Sequence, residues 1–194
     1  LWDEIFEVFM STKTEATIDD LYRVRGKAEL VGGEIVIMSP TGGLHGQVAL
    51  RIGASLLAHE MRTRRGHAVG DNVGFVVNLP TRRSFSPDAA YHFGRVGAKF
   101  VEGAPTFAVE IRSEGDYGPA AEKEMSDKRA DYFASGTQVV WDIDPHGTDA
   151  VVLVYRGSDP DRPTVYRRGE IAEGEPAVPG WTMPVDDLFP TEES

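Results

Sequence analysis

The sequence predicts an α/β fold with a mixed central sheet flanked by helices. Two patterns carry that expectation. The periodicities run in the order helix, hairpin, long helix, strands, helix, strand and β-rich tail. Within that order, an apolar run at 107–111, a helical pattern at 119–135 and a second apolar run at 138–143 make a right-handed βαβ unit. At 194 residues the chain can bury one sizeable core and is read as a single domain over 1–194.

Each element has its own local cause. Residues 1–10 read as a short amphipathic helix. Thr17 is placed to cap a second helix ending near Gly26, with Asp19 and Asp20 at the positive end of its dipole. Residues 28–38 hold two β-rich runs around Gly32-Gly33, which is a hairpin signal. Residues 40–43 break the chain. From 44 to 64, Leu44, Val48, Ile52 and Leu56 follow helical spacing, and Gly66 is the expected stop. Strands are expected at 67–69, 73–79, 86–91 and 106–112. The helix over 119–135 has Pro119 in its first turn and Gly136 just past its end. Strands at 138–143, 150–155 and 164–168 follow, then a short turn near 186–189.

Composition excludes several classes of function. There is no cysteine, so disulfides and thiolate zinc sites are absent. No apolar run approaches the roughly 20 residues of a membrane helix. The first seven residues carry acids where a signal peptide carries bases. A cytoplasmic location is therefore expected, with no membrane partner. The net charge of −11 weighs against tight, non-specific binding of nucleic acid, which relies on basic faces. Arg62, Arg64 and Arg65 cluster, as do Arg82 and Arg83. They read as a solvated helix end and a solvated loop.

The chemistry-bearing candidates begin with Glu110. It interrupts the apolar strand at 107–111, where an unpaired carboxylate is costly to bury. Either another residue pairs with it, or it faces a cleft and holds a cation. Ala121, Met125, Lys128 and Tyr132 share one face of the following helix, so Lys128 projects toward the sheet, unlike Lys123. Asp88, after Pro87, begins a short strand. Two acids and a lysine suit metal-assisted phosphodiester hydrolysis. Mg²⁺ (or Mn²⁺) takes oxygen ligands, which Asp88, Glu110 and the backbone carbonyl of Ile111 would supply. Lys128 would orient the attacking water or stabilise the developing oxyanion.

Several segments together resemble one family. They are Glu29 to Val36 with Met38-Ser39-Pro40-Thr41-Gly42, His45 at the start of the long helix, Pro87-Asp88-Ala89 and Val109-Glu110-Ile111 with Ser113. Further on come Lys128 through Gly136, Trp141-Asp142-Ile143-Asp144-Pro145, and Pro179-Gly180-Trp181. In order and spacing they resemble the Uma-type restriction endonucleases, a branch of the PD-(D/E)XK nuclease superfamily. The resemblance implies a restriction-endonuclease-like core and a divalent-metal nuclease site acting on DNA. It makes Asp88 the motif aspartate, Glu110 the motif acid and Lys128 the lysine. It also makes Glu29, ahead of Glu34, the N-terminal acid of the metal site. Arg112 stands where the superfamily often has its lysine, and a guanidinium stays protonated. Double-strand cleavage would favour a homodimer with two sites. His45 is either a phosphate contact or a structural residue at the helix start, and Asp116 a solvated loop acid. The competing reading is a non-catalytic nuclease-like scaffold used for protein binding or dimerisation. No nucleophile elbow, phosphate-binding glycine loop or His-x-x-x-His pair points to another enzyme class.

Overall fold

The computed structural model describes residues 15–147 and 150–190, so the helix expected over 1–10 lies outside the described residues. A capping box opens α1 (Ile18–Leu21): the Asp20 N–H donates to Thr17 Oγ1 at 3.2 Å, and the Thr17 N–H donates to Asp20 Oδ2 at 2.9 Å. The helix stops at Leu21 rather than near Gly26. Leu21 is its only buried residue, so a longer helix would have no apolar face to seat. The Tyr22 ring stacks on Phe100 instead, with centroids 4.0 Å apart.

The hairpin forms as expected from β1 (Ala28–Val31) and β2 (Glu34–Ile37). Gly32 and Gly33 turn it with φ of +54° and +77°, values that side chains with a Cβ disfavour. Next comes α2 (Gly43–Thr63), which buries Val48, Ile52 and Leu56 along one face. It closes at Arg64, itself left-handed at φ +54°, two residues before the expected stop. Gly66 has a separate cause, because a Cβ there would lie 2.4 Å from the Tyr91 ring.

The remaining elements are β3 (His67–Val69), β4 (Phe75–Val76), β5 (Ser84–Phe85), β6 (Ala89–His92), β7 (Val101–Glu102), β8 (Phe107–Ile111), α3 (Pro119–Ala134), β9 (Val139–Ile143), β10 (Ala150–Arg156), β11 (Asp159–Arg167), β12 (Ile171–Glu173) and β13 (Thr182–Pro184), then a 3₁₀ turn at Val185–Leu188. The central sheet has the order β11-β10-β9-β8-β6-β3. Its one parallel pair is β8 with β9, joined by α3, and the other pairs are antiparallel. A small second sheet has the order β5-β4-β7.

Three expectations change. The strand at 73–79 shrinks to β4 and lies in the small second sheet, because the chain turns back just beyond it, the Val77 and Leu79 N–H groups donating to the Arg83 and Arg82 carbonyls at 2.9 and 3.0 Å. The strand at 86–91 starts only at Ala89, since Pro87 cannot donate to a ladder. The strand at 164–168 extends back to Asp159. Its two prolines are tolerated because β11 is an edge strand.

The sheet's alternation divides the interior. Phe107, Val109 and Ile111 face Val48, Ile52 and Leu56 of α2, in a core that also holds Trp141 and Trp181. Ala108 joins Tyr132 of α3, Phe75, Phe85 and Val140 on the opposite face. Glu110 shares that second face. The two faces of α2 should therefore respond differently to truncation. Ile52→Ala should cost about 2–5 kcal/mol in urea unfolding, whereas Leu50→Ala, at a position 66% exposed, should stay within about 0.5 kcal/mol of the native value.

Candidate active site

An open cleft of about 670 Å³ lies beside the ends of β6 and β8, between the start of α2 and the inward face of α3. Asp88, Glu110, Ile111 and Lys128 all line it, together with Lys27 and His45. Backbone geometry places the two acids. The Asp88 N–H donates to the Val109 carbonyl at 3.0 Å, which docks the residue beside β8 just before β6 begins. The Ile111 N–H, on the same edge of β8, donates to Asp88 Oδ2 at 2.8 Å. In a strand the N–H and C=O of one residue point to the same side. The Ile111 carbonyl therefore faces the Asp88 side, where β6 no longer pairs with it.

Glu110 is held at both oxygens. Lys128 Nζ donates to Oε2 at 2.9 Å and the Tyr132 hydroxyl to Oε1 at 2.6 Å. Tyr132 is fully buried and stacks on Phe85, so the hydroxyl is rigidly aimed. Lys128 lies the same 2.9 Å from Glu29 Oε1. Glu29 is almost wholly buried and lies behind Lys128, outside the cleft lining. Arg82 and the Ser86 N–H hold its carboxylate, and Arg82 also donates to Asp131 at 3.0 Å. Arg82 is thus an interior cation, which corrects its reading as a solvated loop residue. Glu34, across the same hairpin, is exposed.

The charges are strongly biased. Burial opposes the ionisation of Asp88, but the hydrogen bond from His45 and the charge of Lys27 outweigh it and hold the pKa down to about 2. Burial raises the Glu110 pKa, and the neighbouring Asp88 and Glu29 charges add to the rise against the pull of Lys128. Lys128 shows the opposite balance: burial opposes its charge, but Glu110 and Glu29 outweigh burial and push its pKa up. It is held as an ammonium and is unsuited to act as a base.

Arg112 has a different occupation. Glu110 and Asp142 are register partners on the parallel strands β8 and β9. Asp142, 1% exposed, takes Arg112 Nε at 3.0 Å and Nη2 at 3.1 Å, and Arg129 at 3.0 Å. Arg112 also grips Glu122 of α3. It pins the β8–α3–β9 unit together and leaves the lysine position by Glu110 to Lys128.

His45, 7% exposed, lies 3.3 Å from Asp88 Oδ1 through Nε2 and 3.4 Å from Ser113 Oγ through Nδ1. Asp116 accepts the Ser113 N–H at 2.7 Å and so braces that loop rather than standing in solvent. The residue that sequence reasoning overlooked is Lys27. Its Nζ lies 2.6 Å from Asp88 Oδ1 and 2.7 Å from Asp71 Oδ1. Burial works against its charge, but these acids raise its pKa. The signal was available: Lys27 and Glu29 are two residues apart at the start of the hairpin and so share a face. Tyr132 was recognised on the inward stripe of α3 but not as a partner of Glu110.

A mixed sheet with an acid before one strand, an acid within its neighbour and a lysine on the following helix defines a restriction-endonuclease-like fold. The chain belongs to the Uma2 family, described as "Putative restriction endonuclease", whose model matches residues 18–186. Among solved structures it resembles the crystal structure of a putative nuclease from Anabaena variabilis, with TM-score 0.71 and 19% identity. That match covers 90% of this chain and 97% of the other. No curated protein matches the chain in sequence.

Arg112→Met should cost about 3–5 kcal/mol in chemical denaturation, because it strips partners from buried Asp142. In a ¹³C-carboxyl titration, Asp88 should titrate near pH 2 and Glu110 above its ordinary 4.5. Asp88→Asn should then bring the Glu110 midpoint down, since one repelling charge is gone. Because the folded-state pKa of Asp88 is depressed, its stabilising contribution is complete above the unfolded value near 3.8 and is lost as pH falls toward 2.

Proposed function

We propose that this protein is a divalent-metal-dependent endonuclease that hydrolyses DNA phosphodiester bonds, with Asp88, Glu110 and Lys128 as its catalytic residues. The observation that carries this reading is the convergence of two oppositely biased carboxylates and a permanently charged lysine on one open cleft. Family membership and likeness to a nuclease structure support it.

The donor set fits magnesium or manganese. Among the described residues no cluster of three or more His, Asp or Glu side chains forms a metal cage. Mg²⁺ does not need one, because it keeps several waters and takes one or two carboxylates. Asp88, Glu110 and the Ile111 carbonyl supply oxygen alone, and the Lys27 ammonium already occupies a cation's place at Asp88. A divalent cation bound there supplies Lewis-acid chemistry, neutralising charge that develops on the phosphate.

The chain's own groups do the rest. The Ile111 N–H and the Tyr132 hydroxyl orient the two carboxylates. Glu29, the N-terminal acid, acts as a positioning residue that anchors Lys128 from behind. Lys128 presents a fixed positive charge to the attacking water or to the oxyanion. Water adds to phosphorus and gives up a proton, one ester P–O bond breaks, and the leaving alkoxide takes up a proton to become a hydroxyl.

The cleft lining holds five carboxylates against three basic side chains, Lys27, Arg112 and Lys128. DNA binding should therefore be weak until metal is added. Double-strand cleavage would use a homodimer, one site to each strand. A cytoplasmic location suits this role, and no helix among the described residues is long and apolar enough to cross a membrane.

Plasmid cleavage with Mg²⁺ or Mn²⁺ tests the proposal. Wild-type protein should nick or linearise the plasmid only with metal. Asp88→Ala and Glu110→Ala should lower the rate by at least about a hundredfold, and Lys128→Met by a similar factor. Absence of cleavage across metals and salt concentrations, with no heat of metal binding, would favour the scaffold reading.

A further inference from the structure

Two lysines serve the acid pair, and they are anchored in opposite ways. Lys128 is tied from behind to Glu29, whose side chain is only 3% exposed. Lys27 is tied at the rim to Asp71, whose side chain is 53% exposed. Both Lys27 contacts are already made, 2.6 Å to Asp88 and 2.7 Å to Asp71. Releasing Asp88 therefore requires no new partner: a small rotation of a flexible four-carbon stem leaves the ammonium on Asp71.

Asp88 Oδ1 is meanwhile crowded. It has Lys27 at 2.6 Å and His45 at 3.3 Å, while Oδ2 takes the Ile111 N–H. A divalent cation and an ammonium cannot share that oxygen without strong repulsion. Without any cation there, Asp88 and Glu110, which line the same cleft, would have one fewer compensating charge.

We propose that Lys27 is a built-in placeholder cation. It holds the Asp88 carboxylate in the metal-free protein and moves onto Asp71 when a divalent metal enters, so that Lys27 and Asp71 together set the metal affinity of the site. This rests on the metal-binding reading above. It adds that the resting site is charge-compensated and that metal binds by exchange rather than by filling a vacant pair of acids.

Calorimetric titration of Mn²⁺ into the full chain tests this without reference to cleavage. Lys27→Met removes the competitor and should tighten Mn²⁺ binding by on the order of tenfold or more. Lys27→Arg, whose fork grips a carboxylate more firmly, should weaken it. Asp71→Asn removes the parking place and should also weaken it. A lysine that only orients Asp88 predicts the reverse for Lys27→Met, because the carboxylate would lose its alignment.

Equal or weaker binding by a folded Lys27→Met, with wild type still binding metal, overturns the exchange and leaves the metal reading standing. Absence of binding by both proteins overturns the metal reading and the exchange with it. Should Lys27→Met not fold, ¹⁵N spectra of the lysine Nζ groups in wild type decide. Saturating Mg²⁺ should shift the Lys27 signal, with Asp71→Asn altering the end point, and an unmoved Lys27 signal in a Mg²⁺-saturated protein rejects the exchange.

Discussion

Lys128 lies 2.9 Å from both Glu29 and Glu110, and much of the structure serves to keep it there. The constraint is the cost of placing carboxylates inside a sheet-and-helix sandwich, where each ionised group must find a cation or a donor. Glu29, on the hairpin, meets Lys128 and Arg82. Arg82 reaches Asp131 on α3, and Tyr132 on the same helix reaches Glu110. The hairpin, the loop before β5, the central sheet and α3 are thus joined by one chain of alternating charges. That chain fixes the rotamer of Glu110, held at both carboxylate oxygens.

Much of this was legible in the sequence because it rests on short-range periodicity. The inward face of α3 was readable from the spacing of Ala121, Met125, Lys128 and Tyr132, and Glu110 from its interruption of an apolar strand. The hairpin was readable from its paired glycines. What escaped depends on contacts across distance. Arg82 looked like half of a solvated basic pair, yet it is buried by a hairpin some fifty positions earlier. Lys27 drew no reading from the sequence: its face shared with Glu29 was visible, but its partners Asp88 and Asp71 lie far along the chain. The strand at 73–79 failed for a related reason. Its apolar residues pack on the second core, but the chain turns back near Leu79, whose N–H donates to the Arg82 carbonyl at 3.0 Å, and so leaves only a short strand.

The net charge of −11 also takes on a different meaning. Arg82, Arg112 and Arg129 are spent on interior acids rather than displayed to a polyanion. Arg112 illustrates this best. It stands two residues after Glu110, where a lysine is common in the superfamily, but Asp142 lies in register with Glu110 and claims it. Two carboxylates side by side on parallel strands need two separate sets of cations. The arginine goes to the acid with no opening to solvent, and the lysine to the acid that faces the cleft.

Anomalous diffraction from crystals soaked in Mn²⁺ would decide whether Asp88 and Glu110 form one cation seat. A single strong anomalous peak is expected within coordination distance of both carboxylates and of the Ile111 carbonyl oxygen, with Lys128 still between Glu29 and Glu110; its presence would support the seat. A saturating soak that leaves this position without a peak, or places the ion on other residues, would contradict it.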